Sequence, residues 1–216
     1  MTNKTKWLIA VPFVVAIAGV VPALVAGDWR WFLKSWPDTL FVLLTAGMWL
    51  AATAFVDLNR IRVSADSPRR FISLGLMLAV PVAVYDRTHL AASQRSELWS
   101  MLGVAVSVAG AVLGGAAKRQ LGRHYAPQPE IQDKHVLVTT GPYRWIRHPL
   151  HSAALLWMMG WPLVLASLWG ALVAAGFLLP SLWSRMRSEE EMLLQHFGQE
   201  YVDYQAKTWR LIPFVY

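Results

Sequence analysis

The chain has 216 residues, of which 56% are hydrophobic and only 15% charged, with no cysteine and a formal net charge of +7. That length suits one domain or one helical bundle, and the apolar content with positive mean hydropathy lies outside the usual soluble range, so a bilayer is the natural solvent. Disulfides, thiolate zinc sites and a cysteine nucleophile are excluded, and the basic residues lie between apolar spans, where they read as membrane topology rather than a nucleic-acid surface.

In chain order, four apolar stretches of about 20 residues, each enough to cross a hydrocarbon core, run Trp7 to Ala26, Pro37 to Val56, Phe71 to Leu90 and Leu98 to Ala117. The first has a basic start at Lys4 and Lys6 but is longer than a secretory h-region and lacks a fitting cleavage site, so it reads as a retained helix. A fifth stretch, Leu150 to Trp183, is too long for one crossing and predicts a helical hairpin turning near Ser167, where Gly160, Pro162 and Gly170 loosen the helix. The expected fold is therefore an all-α integral membrane protein of about six transmembrane helices, the last two a hairpin, followed by a cytoplasmic amphipathic helix.

Lys4 and Lys6, then Arg60, Arg62, Arg69 and Arg70, then Lys118, Arg119 and Arg123 mark three basic regions. The positive-inside bias puts these and both termini in the cytoplasm, and most tryptophans fall at the two interfacial belts. The composition breaks after Ala117. Residues 1–117 read as a four-helix membrane region, and residues 118–216 as a polar loop, hairpin and C-terminal helix within the same structural domain.

Any polar chemistry must come from that second region. Gly141 and Pro142 predict a turn, and Pro149 suits the first position of a helix, which places His148 at its N-terminus. Free N–H groups there favour an anionic ligand group, with Arg144 and Arg147 adding charge. Taken by itself, the stretch is described as well by ordinary positive-inside flanks and a capping histidine. Arg185 to Lys207 reads as an amphipathic helix with a break at Gly198. Arg185 stands one turn before Glu189, either as an exposed surface pair or as part of a site in which Glu189 and Glu190 meet a cationic ligand.

Read together, Gly141-Pro142-Tyr143-Arg144-x-x-Arg147-His148-Pro149, Arg185-x-x-x-Glu189-Glu190-x-x-Leu193 and Phe197-Gly198-x-Glu200-Tyr201-x-x-Tyr204 with Arg210-Leu211-Ile212-Pro213 resemble the isoprenylcysteine carboxyl methyltransferase family, grouped with the phospholipid N-methyltransferases. The resemblance covers roughly residues 118 to 216. It implies an S-adenosylmethionine-dependent enzyme that methylates a lipophilic or lipidated acceptor, such as a prenylcysteine carboxylate, among membrane lipids, with no nucleic acid and no metal. It further implies that Gln128, His135, Val136, Leu137, Val138, Tyr143, Arg147, His148, Pro149 and Leu150 wrap the cofactor. Glu189 would hold the cofactor's amino or sulfonium side, Arg185 would orient an anionic acceptor, and Glu190 stands second for either carboxylate task. His151 occupies the position where the family usually has tyrosine, and is expected to line the substrate pocket as a neutral hydrogen-bonding residue. A phospholipid or small-amphiphile N- or S-methyltransferase, a nicotinamide-dependent membrane reductase, and a non-catalytic binding or transport protein stay open as alternatives.

Overall fold

The computed structural model describes residues 21–28, 30, 33–43, 75, 78–90, 97–122 and 136–214, and these form helices, tight turns and a single isolated backbone bridge. Helix α1 (Val21–Ala26) ends at Gly27, whose φ of +67° closes the turn. Residues 36–43 and 78–85 are helical, the latter running into a π-helical turn at Asp86–Leu90. Helix α2 covers Glu97–Leu121, α3 Pro149–Val164, α4 Leu168–Phe197 and α5 Gln199–Gln205. The end expected at Ala26 is found. The rest of the first span, most of the second and a minor part of the third lie outside the described residues.

Helix α2 carries its side chains inside out. Ser100, Gly103, Ser107, Gly110 and Ala117 are buried at heptad-like spacing, while Leu98, Trp99, Met101, Leu102, Val108 and Val112 face outward. A soluble helix would bury the large apolar residues and expose the small ones. In lipid, where burying leucine gains nothing, the small residues go to the interface so that backbones can approach. Among the described residues α2, at 25 residues, is the one helix long and apolar enough to cross a membrane by length and composition.

Helix α3 packs on that small-residue stripe. A Cβ on Gly160 would meet Ser107 Oγ, and would lie 2.8 Å from the Ser107 nitrogen and 2.9 Å from the Gly103 carbonyl oxygen. A Cβ on Gly110 would lie 2.8 Å from the nitrogen of Trp157. The glycines are therefore required by contact, and they fix the height of α3 against α2.

The hairpin turns where the sequence places it. Ser167 caps α4 by accepting from the Gly170 N–H at 2.9 Å, and its hydroxyl donates to the buried Asp86 carboxylate at 2.7 Å. Nearby, Arg87 Nε donates to Asp38 at 2.8 Å. This polar latch ties the hairpin turn to the preceding helical segments at the end opposite the α3 N-terminus.

One expectation changes. The amphipathic segment is not a separate helix after the hairpin: α4 runs 30 residues without a break, from Leu168 through Phe197. No glycine or proline follows Pro180 until Gly198, whose φ of +53° then ends the helix. At 1.5 Å per residue, Glu189 stands about 32 Å from the start of α4, beyond a hydrocarbon core of about 30 Å. One continuous helix thus carries both the apolar residues and the charged ones.

Gly160→Val should destabilise the protein by about 1–3 kcal/mol through overpacking. Gly176→Ala, where an added Cβ meets nothing within 4 Å, should be neutral or gain up to about 1 kcal/mol of helix propensity. Thermal unfolding in detergent of both variants reads the contrast; equal effects would mean that the α2–α3 contact is not tight.

Candidate active site

The site is assembled by a loop that the C-terminal segment straps down. At the end of α2, Gln120 Nε2 donates to Thr140 Oγ1 at 2.5 Å, just before Gly141, whose φ of +62° begins a 3-10 turn over Gly141–Arg144. Tyr143 in that turn is buried, and its carbonyl accepts from Tyr204 Oη of α5 at 2.7 Å. Ile146 and Trp209 then pair as a parallel bridge, with Trp209 N–H donating to Trp145 O at 2.9 Å and Arg147 N–H to Trp209 O at 2.7 Å. His148 N–H donates to Arg210 O at 3.2 Å, and Ser152 Oγ to Leu211 O at 2.6 Å. Residues 209–211 thereby complete the backbone pairing of the chain entering α3.

Pro149 takes the first position of α3, as expected, and His148 is the N-cap. The His148 side chain makes no capping hydrogen bond. It turns toward α4 and lies between two carboxylates, with Nδ1 3.5 Å from Glu189 Oε2 and Nε2 3.1 Å from Glu190 Oε1. His148 is only 5% exposed. Burial pushes its pKa down, but the hydrogen bonds and charges of Glu189 and Glu190 outweigh that and hold it above the ordinary histidine value. Both ring nitrogens facing carboxylates is the geometry of an imidazolium that donates twice.

The two glutamates have different further partners. Glu189 Oε1 accepts from Arg185 Nε at 2.8 Å and lies 3.7 Å from His151 Nε2. Glu190 accepts from Arg210 through Nε at 3.0 Å and Nη2 at 2.5 Å, and Arg147 Nε stands 3.4 Å away. Burial raises both carboxyl pKa values. The His148 hydrogen bond, joined at Glu189 by the charges of His151 and Arg185 and at Glu190 by Arg210, reverses this and lowers each to about 2. Both are therefore carboxylates under all physiological conditions.

Set against the sequence reading, the structure brings Arg147, His148, His151, Arg185, Glu189 and Glu190 into one cluster. It gives them unlike tasks. Arg147 faces inward: its Nη1 donates to the carbonyls of Gln205, at 3.0 Å, and Thr208, so it clamps the C-terminal segment. Of the two readings of Arg185 and Glu189, the exposed surface pair is the one the geometry does not fit, because Arg185, His148 and His151 enclose Glu189. Tyr143 and Pro149 are buried and Leu150 half-buried at the base of the site. Val136 to Val138 approach the 3-10 turn in irregular backbone, with Val136 58% exposed. Gln128 and His135 lie outside the described residues.

Arg210 and Ser152 are the residues that the sequence reading did not assign to the site. Arg210 stands in one of the family-like motifs, but nothing in local charge pattern shows that it reaches back 20 residues to Glu190. Its guanidinium also lies over the Trp183 ring, 5.1 Å from the centroid, which holds it at the membrane-facing side of the cluster.

In chemical terms the cluster offers anionic oxygens for a cationic ligand group and guanidinium for an anionic one. His148, His151 and Glu189 also place nitrogen and oxygen donors within 4.8 Å of one another.

Comparison with known proteins places this arrangement. The sequence profile of the phospholipid methyltransferase family matches residues 98–200. The protein-S-isoprenylcysteine O-methyltransferase of Tribolium castaneum is 36% identical over 122 residues, 54% of this chain and 42% of that one. That of Dictyostelium discoideum is 32% identical over 119 residues and is 49% covered, so the chain spans under half the length of these two relatives. A rice relative (Oryza sativa subsp. indica), named a probable protein-S-isoprenylcysteine O-methyltransferase, is 31% identical over 186 residues, 81% of this chain and 92% of its own length. A solved structure of a eukaryotic intramembrane Ras methyltransferase, isoprenylcysteine carboxyl methyltransferase, superposes with a TM-score of 0.66 at 26% identity, over 95% of this chain and 77% of that one. With a relative covered almost end to end at this identity and the same fold across nearly the whole chain, the protein belongs to the protein-S-isoprenylcysteine O-methyltransferase family.

Proposed function

We propose that this chain is an integral membrane methyltransferase that uses S-adenosylmethionine to methylate a lipophilic acceptor, in the first place a carboxylate such as that of a prenylcysteine. The observation that carries the reading is the buried Glu189–His148–Glu190 cluster with Arg185 beside it. The donor set fits a zwitterionic, sulfonium-bearing ligand, since it offers both ionised carboxylate and guanidinium in a water-poor place. When bound, S-adenosylmethionine supplies a methyl group already activated by the sulfonium.

The chain's own residues then have to position, orient and exclude water. Glu189 takes the ammonium or sulfonium side of the cofactor. Arg185, on the same helical face, orients the anionic acceptor, and Tyr143, His148, Pro149 and Leu150 form the floor. Arg147 and Arg210 hold the C-terminal segment and Glu190 in place and so act through others. A carboxylate acceptor is already ionised near neutral pH and needs no base. Residues 118–216 form the catalytic region, entered by the polar cofactor from the cytoplasm and by the acceptor from the bilayer. Residues 1–117 supply four of six crossings, with both termini cytoplasmic.

Glu189→Gln keeps the side-chain shape and removes the charge. It should weaken binding of S-adenosylhomocysteine by at least about 100-fold, in line with about 2–5 kcal/mol for one partner of a buried charge pair, as read by isothermal titration. Affinity within a factor of two of wild type would return Glu189 to a purely structural role.

Arg185→Ala should lower turnover or raise the acceptor KM while cofactor affinity changes by less than about 1 kcal/mol. Arg185→Lys should rescue poorly, because ammonium lacks the planar two-pronged donor. Titrations of cofactor and acceptor on both variants decide it, and equal small effects on the two ligands would remove Arg185 from acceptor binding.

For topology, Ser64→Cys in this cysteine-free chain should react with an impermeant thiol reagent only from the cytoplasmic side. Reaction only from the opposite side would invert the orientation.

A further inference from the structure

We propose that His148, His151 and Glu189 form a binding site for a divalent transition-metal cation of the zinc class, with a fourth coordination position left open. The three donors come from the two elements that meet at the site: the N-cap and first turn of α3, and the cytoplasmic part of α4. Their spacing is close to what a metal requires. Ligand atoms at 2.0–2.2 Å from a tetrahedral zinc are about 3.4 Å apart, and here His148 Nδ1 is 3.5 Å from Glu189 Oε2 and His151 Nε2 is 3.7 Å from Glu189 Oε1. The two rings meet edge to face with centroids 5.3 Å apart, and the three donor atoms all lie within 4.8 Å of one another, so the widest pair has to close by at most about 1.4 Å to reach that spacing.

The donor type selects the metal. Two imidazoles and one carboxylate suit zinc and its neighbours, whereas magnesium and calcium call for shells built from oxygen. The surroundings add an independent feature. A ligating histidine is normally fixed by a carboxylate on its other nitrogen, and His148 presents Nε2 to Glu190 at 3.1 Å while Nδ1 faces the cluster. Glu190 is itself anchored by Arg210. Metal would take the place of the proton on Nδ1, as metal binding to histidine generally does.

Arg185 opposes the metal, since its guanidinium already occupies Glu189 Oε1 at 2.8 Å. Oε2 remains directed at His148, whereas His151 faces the Oε1 that the arginine holds, so a cation seated among all three donors shares Glu189 with Arg185. His151 makes the site particular to this chain: the family resemblance has tyrosine there, and a phenol would leave two donors where three are needed.

Metal binding does not rest on the methyltransferase reading, and the test uses no activity. The untagged full chain in detergent, without cofactor, is titrated with cobalt(II), followed by its visible d–d absorption, and with zinc(II) in competition with a chromogenic chelator. One equivalent should bind with a Kd in the micromolar range or tighter. His151→Tyr, which installs the residue usual in the family and should fold, is expected to weaken binding by at least about 10-fold. Glu190→Gln should do the same by releasing the orientation of His148. His196→Ala, an exposed histidine elsewhere on α4, should change nothing. Stoichiometric binding unaffected by His151→Tyr, or no binding below about 1 mM, would overturn the proposal. Loss of metal binding alone would leave the cofactor reading intact, and loss of S-adenosylhomocysteine binding alone would leave the metal site intact.

Discussion

The constraint on which this site depends is the burial of a histidine between two carboxylates. His148 is nearly inaccessible and touches Glu189 with one nitrogen and Glu190 with the other. Charges removed from water carry a desolvation cost of several kcal/mol each unless they are paired with good geometry, and breaking one such pair costs about 3–5 kcal/mol. Three separate pieces of chain must therefore arrive together. The N-terminus of α3 brings the histidine, the distal part of α4 brings the glutamates, and the C-terminal segment brings Arg210. Once folded, none can drift without stranding a charge, and this is how a membrane protein holds a polar site rigid at its edge.

The rigidity passes into the membrane region by short contacts. The small-residue stripe of α2 sets the height of α3 through Gly160, and the end of α2 touches the 3-10 turn through Gln120 and Thr140. His148 is then fixed from below by helix packing and from the side by the strap at residues 209–211. Lipid gives no hydrophobic drive for helix association, so close backbone contact within the bilayer and buried ion pairs at its edge are complementary ways to stabilise the same assembly.

Much of this was legible in the sequence, for identifiable reasons. Hydropathy marked α2 because its outward face is apolar, and proline and serine marked the start of α3 and the hairpin turn because caps are local chemistry. The motif around Arg147-His148-Pro149 and the Arg185-to-Glu190 spacing named the residues that converge. What stayed illegible was pairing across distance. Arg144, Arg147, Arg185 and Arg210 look alike as cations at a membrane edge, yet Arg147 is spent on carbonyls 58 and 61 residues away and Arg210 on a carboxylate 20 residues away. A linear pattern encodes which residue types are present, whereas the partner of each is decided by how the strap lies. For the same reason the local pattern left open whether Glu189 is a surface charge or part of a site, although three cationic or imidazole groups surround it.

The preformed Arg185–Glu189 pair bears on how two ligands would share the site. In the structure each side chain satisfies the other at 2.8 Å, so neither ligand of the proposed reaction finds an empty counter-charge. A cationic group bound to Glu189 competes with Arg185 for the carboxylate. An anionic acceptor arriving at Arg185 then replaces what the arginine has lost. Each ligand thus lowers the cost of seating the other, and by thermodynamic linkage the effect is mutual. A ligand pair carrying opposite charges is thereby favoured over either ligand alone. In the proposed reaction the internal ion pair that keeps the unliganded cluster stable would also act as a filter on the charge of the acceptor, in favour of an anion.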